Sequence, residues 1–245
     1  MLMYTMKETR ILVLHVKKGY EERERHIRSM MDAIGMDFEF ILDGDMDELN
    51  DQVLDQYFTG DMRKVQPATS CTLKHLMACQ YIVSHDLPGA LVLEDDMVLY
   101  KNFQKVFCEC LDEMNQRGIE RPLISFEDST LKFVPRSQRK KGIHLYPATC
   151  DRFAGCLYYS NGCARQILDY VDKNKCDLPI DLFQKELISR IGLAYYWCHP
   201  TIATQGTHNG LFASSINERS ASRQQYRKRT WKLKLAYKKL LYFLR

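Results

Sequence analysis

Three consecutive carboxylates, Glu94-Asp95-Asp96, follow the apolar run 90–93 (ALVL). Side chains alternate along an extended backbone, so Glu94 and Asp96 share one side and Asp95 takes the other. Two carboxylates on one side repel unless a cation lies between them. Such oxygen ligands suit Mg2+ or Mn2+, which complete their shell with water and substrate phosphates. A solvated acidic loop is the plain alternative, and the apolar strand before it counts against that. A second acidic pair, Glu127-Asp128, follows the run 123–126 (LISF), and Asp181 follows Pro179. An acidic residue just after proline also has an ordinary role at the positive end of a helix dipole.

The elements that must position these groups are legible as periodicities. Residues 11–16 (ILVLHV) read as a buried strand. Ile27, Met30, Met31 and Ile34 share one face of a helix over 21–34, and Gly35 is a plausible cap. Strands are predicted at 38–42, 90–93, 123–126, 155–159 and 194–198. Helices are predicted near 50–57 and over 69–83, 103–114, 162–171 and 179–191. Residues 135–142 (PRSQRKKG) read as a mobile basic loop. Alternating strands and helices predict a mainly parallel sheet covered on both faces. Ligands of such sheets bind beyond the carboxyl ends of the strands, where the acidic groups lie.

The chain has 245 residues, 45% of them apolar and 27% charged, enough for a sizeable core. This excludes fibrous and wholly disordered classes. No apolar run is long enough for a spanning helix, and no secretory signal is expected at the N-terminus. The nine cysteines are odd in number and form no C-x-x-C pair. Free thiols in a reducing compartment are expected, without a structural zinc. Ten of the 35 Lys/Arg and none of the 31 Asp/Glu fall within 219–245, which leaves residues 1–218 at −6. An acidic body thus carries a basic tail.

The segment 71–75 (CTLKH), followed by 89–96 (GALVLEDD), resembles glycosyltransferase family 25. That family contains bacterial lipooligosaccharide sugar transferases and collagen galactosyltransferases. Its pattern is a G-C-x-x-S-H helix start and then a strand ending in E-D-D. Segments 11–25, 38–44, 155–164 (GCLYYSNGCA) with Pro179-Ile180-Asp181, and 200–215 (PTIATQGTHNGLFASS) resemble further family segments in the family's order. The sequence departs from the pattern at His15-Val16, Ser70 and Lys74, and in the spacing to Arg23.

The resemblance implies one GT-A type, Rossmann-like α/β domain over 1–216, with a basic amphipathic helical tail over 217–245. It implies a divalent metal, Mn2+ or Mg2+, a nucleotide-sugar donor and an inverting transfer. Glu94 and Asp96 are the candidates to hold the metal, with His208 as a third ligand. Asp95 is assigned to a sugar or ribose hydroxyl, Arg23 and Asp43 to the nucleotide, and Gln205 to the diphosphate. His75 is read as orienting the acidic strand. Inversion needs a general base, for which Asp181 is preferred over Asp128, with Glu127 third. Lys17 and Lys18 lie where a phosphate could bind, though a solvated helix start explains them as well.

In the tail, Leu233, Tyr237, Leu240, Leu241 and Leu244 share a helical face among Lys and Arg. Such a helix suits an anionic membrane surface. Packing on its own domain is the competing reading, and nucleic acid is not expected. Together these readings give a sugar transferase, most simply a galactosyltransferase using UDP-galactose. Its acceptor would be a saccharide or glycolipid of the cell envelope, reached from the cytoplasmic side of the inner membrane. The alternatives are a nucleotidyltransferase-like metal enzyme and a non-catalytic binding module led by the tail.

Overall fold

The apolar runs pair into one twisted sheet whose two faces are both covered. The computed structural model describes residues 9–213 and 221–245, the side chain of Ala221 excepted. The expected domain boundary at 216/217, Ser214, Ser215 and Arg219 lie outside the described residues. In chain order the elements are β1 (Arg10–Leu14), α1 (Glu21–Ile34), β2 (Glu39–Ile41), α2 (Asp51–Tyr57), α3 (Pro67–Ser84), β3 (Gly89–Glu94), β4 (Met97–Leu99), α4 (Phe103–Gln116), β5 (Pro122–Ser125), β6 (Leu145–Pro147), β7 (Cys156–Ser160), α5 (Asn161–Asn174), α6 (Ile180–Ile191), β8 (Ala194–Cys198), β9 (Ala203–Gln205), α7 (Gly206–Asn209) and α8 (Ala221–Phe243).

The main sheet has the order β2-β1-β3-β7-β5-β8-β6. Alternation splits β1 and β3 between two cores. Leu12, Leu14, Ala90 and Val92 meet Leu73 and Leu76 of α3, Ile167 of α5 and Phe183 of α6. Ile11, Val13, Leu91 and Leu93 meet Ile27 and Met31 of α1 and Phe107 and Leu111 of α4. Burial from both sides is why these strands read as unbroken apolar runs. Helix α1 stops where Gly35 turns left-handed at φ 64°, a conformation that costs glycine little.

Strands β1, β2, β3, β5 and β8 run in one direction. The expected mainly parallel sheet is observed, with β7 and β6 running against their neighbours. The physical reason is the connection. A parallel return needs a long crossover, normally a helix, and between β5 and β7 the chain has only the 3-10 turn Arg136–Gln138 and the short strand β6. A small antiparallel pair, β4 with β9, was also not anticipated. Each strand is three residues long, and their pairing spans about a hundred residues of sequence.

The sheet reverses its build direction at β1 and β3, which are adjacent and parallel. Their register pairs Leu14 with Glu94. The two carboxyl ends therefore open side by side at a topological switch point, where ligands of such sheets bind. Leu91 is fully buried at the centre of this sheet. Leu91→Ala is expected to cost about 2–5 kcal/mol of stability, read as a lower urea midpoint with an unchanged denaturant slope.

Candidate active site

The switch point opens into a cavity of about 1050 Å³. Glu94, Asp95 and Asp96 line one part of it. Lys17, Lys18 and Arg23 line another, and Asp181, Gln205 and His208 complete the rim. Most of the expected site residues are thus brought together from five separate stretches of chain.

Their orientations differ from one another in an informative way. Asp95 is buried, and one of its carboxylate oxygens accepts from Arg23 Nη1 at 2.9 Å. The other lies 2.8 Å from His15 Nδ1. Arg23 also donates to the carbonyl of Ala213 at 2.7 Å and stacks on Tyr20 and Phe212. Asp95 and Arg23 therefore hold each other, so both oxygens of Asp95 have partners within the protein although the residue lines the cavity. His15, a departure from the family pattern, is the second clasp on Asp95.

Strand β3 ends at Glu94, and Asp95 and Asp96 form the turn that leads into β4. Glu94 is partly exposed to the cavity, and its Oε2 accepts from Gln205 Nε2 at 3.1 Å. Asp96 is only 1% exposed. Its Oδ2 accepts from the backbone N–H of Thr207 at 3.0 Å, while its Oδ1 is buried with no hydrogen-bond partner. The β4–β9 pair makes this possible by returning Gln205 opposite Met97, with Gly206 N–H on the Asp96 carbonyl at 2.7 Å. Burial, aided by the charge of Glu94, raises the Asp96 carboxyl to about 6. An oxygen without a donor, beside a like charge, fits the hard-cation chemistry expected of this pair.

Gly155 supports the same corner. Its carbonyl accepts from Glu94 N–H at 2.9 Å and its N–H donates to Glu127 Oε1 at 2.7 Å. A Cβ there would come within 2.6 Å of Gln205 Nε2 and Met97 Sδ, so a larger residue would displace those side chains from the corner. Glu127 is wholly buried and its carboxyl is pushed far up by that burial. It braces the site from behind and does not line the cavity, which corrects its reading as a base.

Asp128 is corrected likewise. It is buried, and its carboxylate accepts from Tyr100 Oη at 3.0 Å and Thr201 Oγ1 at 3.1 Å. It too is absent from the cavity wall. Asp181, in the first turn of α6, does line the cavity. Burial raises its carboxyl, with Asp151 and Glu94 adding to the shift. His208 lies on the rim with its ring 4.8 Å from that of Phe153.

Asp43 is exposed and outside the cavity wall, which again departs from expectation. The neighbouring Asp45 and Glu48 take its place. Asp45 is buried, pairs with Lys74 Nζ at 2.8 Å and accepts from the Lys17 N–H at 3.0 Å. Lys74 also donates to the Leu42 carbonyl at 2.7 Å. Lys74, another departure from the pattern, thus ties helix α3 to the turn after β2. The sequence reading missed Asp45, although the Asp43-Gly44-Asp45 spacing pointed to this turn.

His75 is fully buried behind Glu94. Its Nδ1 lies 3.0 Å from Tyr159 Oη and its Nε2 lies 3.8 Å from Glu94 Oε1, beyond hydrogen-bond reach. Among the described residues, the group of three His, Cys or acidic side chains whose ligand atoms lie within 4.8 Å of one another is Cys71, His75 and Glu94. Asp96 and His208 are not in that group. The i, i+4 spacing of Cys71 and His75 on one helix was the signal for it.

An α/β fold with an acidic strand end and a cavity at its switch point is where a ligand site is expected. The chain belongs to glycosyltransferase family 25, described as an LPS biosynthesis protein family, whose model matches residues 9–183. It is a glycosyltransferase. No curated protein matches it. Among solved structures it is similar to one described as a glucose-1-phosphate thymidylyltransferase from Bacillus anthracis in complex with a sucrose. That likeness has 13% identity over 86% of this chain and 79% of the other, with a TM-score of 0.38, and it carries no argument about activity.

The raised Asp96 carboxyl has a sign that can be tested. The native state holds the proton up to about pH 6, the unfolded chain only to about 3.8. Stability of the metal-free protein therefore falls as pH rises between those values, and the loss is complete above them. Asp96→Asn removes the charge and keeps an acceptor for Thr207 N–H. In chelator it is expected to be more stable than the native protein by roughly 2–3 kcal/mol at pH 8 and equal to it at pH 3.5, by thermal or urea melts.

Proposed function

We propose that the chain is a metal-dependent inverting glycosyltransferase on a GT-A type domain. It moves a sugar, with galactose the first candidate, from a UDP-sugar to a saccharide on a lipid-linked cell-envelope acceptor. The observation that carries this reading is the pairing of Glu94 with the partnerless Oδ1 of Asp96 on one side of a 1050 Å³ cavity, with lysines on another. Two acidic oxygens suit a divalent cation, and Lys17 and Lys18 suit a diphosphate. The cavity is large enough for a nucleotide sugar.

Glu94 and Asp96 would hold the ion, which supplies charge stabilisation to a departing nucleoside diphosphate. Gln205 holds Glu94 in place from β9, and the Thr207 N–H holds Asp96. The Arg23–Asp95–His15 cluster fixes the backbone from which both carboxylates project. Asp181 is the proposed general base. Its raised carboxyl moves toward the range in which a base takes a proton from an acceptor hydroxyl near neutral pH. Inversion follows when that hydroxyl attacks the anomeric carbon opposite the leaving diphosphate. His208 remains a candidate third ligand from the rim of the same cavity.

The test is donor hydrolysis with Mn2+ and a panel of nucleotide sugars, counting released nucleoside diphosphate. Metal-dependent release from one donor is expected, reduced at least a hundredfold by Asp96→Ala (about 3 kcal/mol or more of transition-state stabilisation). Asp181→Asn should leave donor binding intact and lower transfer to an acceptor by roughly 10²–10⁴. Pyrophosphate release from a nucleoside triphosphate with a sugar phosphate, and no donor hydrolysis, would move the reading to nucleotidyl transfer.

A further inference from the structure

Helix α8 lies against the body along one side only. Gln224 Nε2 donates to the carbonyls of Gly210 and Leu211 at 3.4 and 3.3 Å, and Arg227 Nη1 donates to the Thr207 carbonyl at 3.2 Å. At the other end, the Tyr242 ring meets Phe133 at 5.6 Å, and Lys239 Nζ lies 5.7 Å from the centre of the same ring. These contacts bear out the reading that the tail packs on its own domain, for one face of the helix.

The opposite face is apolar. Leu233, Tyr237, Leu240 and Leu244 follow at steps of four, three and four, so they fall in one stripe. They are 73%, 60%, 54% and 72% exposed. Tyr226, seven residues before Leu233, extends the stripe and is also exposed. Packing on the body therefore does not bury the residues whose spacing marked the helix as amphipathic. No helix among the described residues is long and apolar enough to cross a membrane, so the stripe is a surface feature.

The charges say what covers it. Residues 221–243 carry eight Lys/Arg and no Asp/Glu. The basic loop joins them, because Arg136 stacks on Phe243 at 4.3 Å and Arg139 lines a groove with Lys239, Leu240 and Phe243. Lys140 and Lys141 continue that loop in solvent. A second copy meeting stripe to stripe would bring two such basic surfaces together. A nucleic acid would match the charge and leave three leucines without a partner. An anionic bilayer matches both, since basic side chains reach headgroups while the apolar stripe enters the acyl boundary.

We propose that α8 and the 135–142 loop form one docking surface for an anionic lipid bilayer, with the Tyr226–Leu244 stripe as the part that inserts. Arg227 and Gln224 anchor α8 directly to the segment 207–211, and Asp96 accepts from Thr207 in that segment. Docking would therefore hold the cavity at a fixed attitude to the membrane. The lipid-linked acceptor rests on the transferase reading, whereas the docking surface does not.

The test is sedimentation of the full chain with vesicles of phosphatidylcholine alone or with a third phosphatidylglycerol, read without donor or acceptor. Partition into the anionic vesicles is expected to exceed the neutral ones by roughly tenfold or more and to fall with salt. Leu233→Asp with Leu240→Asp changes only exposed positions. That pair should lose most of the anionic partition while keeping the native melting temperature. Lys140→Glu with Lys141→Glu should weaken it several-fold. Absence of partition by the native chain would overturn the proposal. So would equal partition by the leucine variant, tighter binding to RNA than to vesicles, or a dimer abolished by the leucine changes. None of these outcomes depends on catalysis, so failure here leaves the donor-hydrolysis test intact.

Discussion

The site depends on Asp95 being turned into the protein. Arg23 from α1 and His15 from the end of β1 both grip its carboxylate. Because β1 and β3 are in register at Leu14 and Glu94, the residue after Glu94 falls beside the residue after Leu14. Asp95 is held there in the turn that follows β3, while Glu94 before it and Asp96 after it line the cavity, each held by its own donor. One buried ion-paired cluster thus converts an acidic triplet into two presented carboxylates and a clasp. Removing a partner from such a cluster leaves a buried charge uncompensated, which is why the chain supports it from two elements.

The rest of the cavity follows from crowding negative charge where water is scarce. Burial raises the carboxyls of Asp96 and Glu127, and the charge of Glu94 adds to both shifts. The fold answers with donors, namely the Gln205 amide, the Thr207 N–H and the Gly155 N–H. They satisfy one oxygen of each group and leave the Asp96 Oδ1 without a partner. A preorganised, underneutralised acidic pair is a place where a cation gains more than it would in water. In the proposed mechanism such a cation would offset the negative charge that develops on the leaving group.

The tail belongs to the same architecture. Its anchoring side touches the segment that also holds Asp96, and its free side is an apolar stripe in a basic field. The acidic body and basic helix are therefore complementary in position as well as in sign. Lys239 lies near enough to Asp128 to oppose the rise that burial imposes on that carboxyl. The helix packs on its own domain along one face and leaves the other, apolar face exposed.

By itself the sequence determined the local elements and the chemistry available to them. Apolar runs gave β1, β3, β5 and β8, helical spacing gave α1, α3 and α4, and Gly35 gave a helix end, because these depend on neighbours a few residues apart. The acidic triplet and Asp181 were legible from residue type and pattern, and Gln205 only from the family resemblance. Only the tertiary structure decided which of these groups face the cavity. Asp95 is clasped by Arg23 and His15, Asp128 and Glu127 are buried off the cavity wall, and Asp45 lines it where Asp43 does not, because each outcome depends on partners 28 to 80 residues away. His15 and Lys74 had no meaning in one dimension, since their partners Asp95 and Asp45 become neighbours only when β1, β2, α3 and β3 are assembled. The antiparallel β7 and the β4–β9 pair were hidden for the same reason. Strand direction and non-local pairing are set by how the chain returns, and residue periodicity carries no record of that.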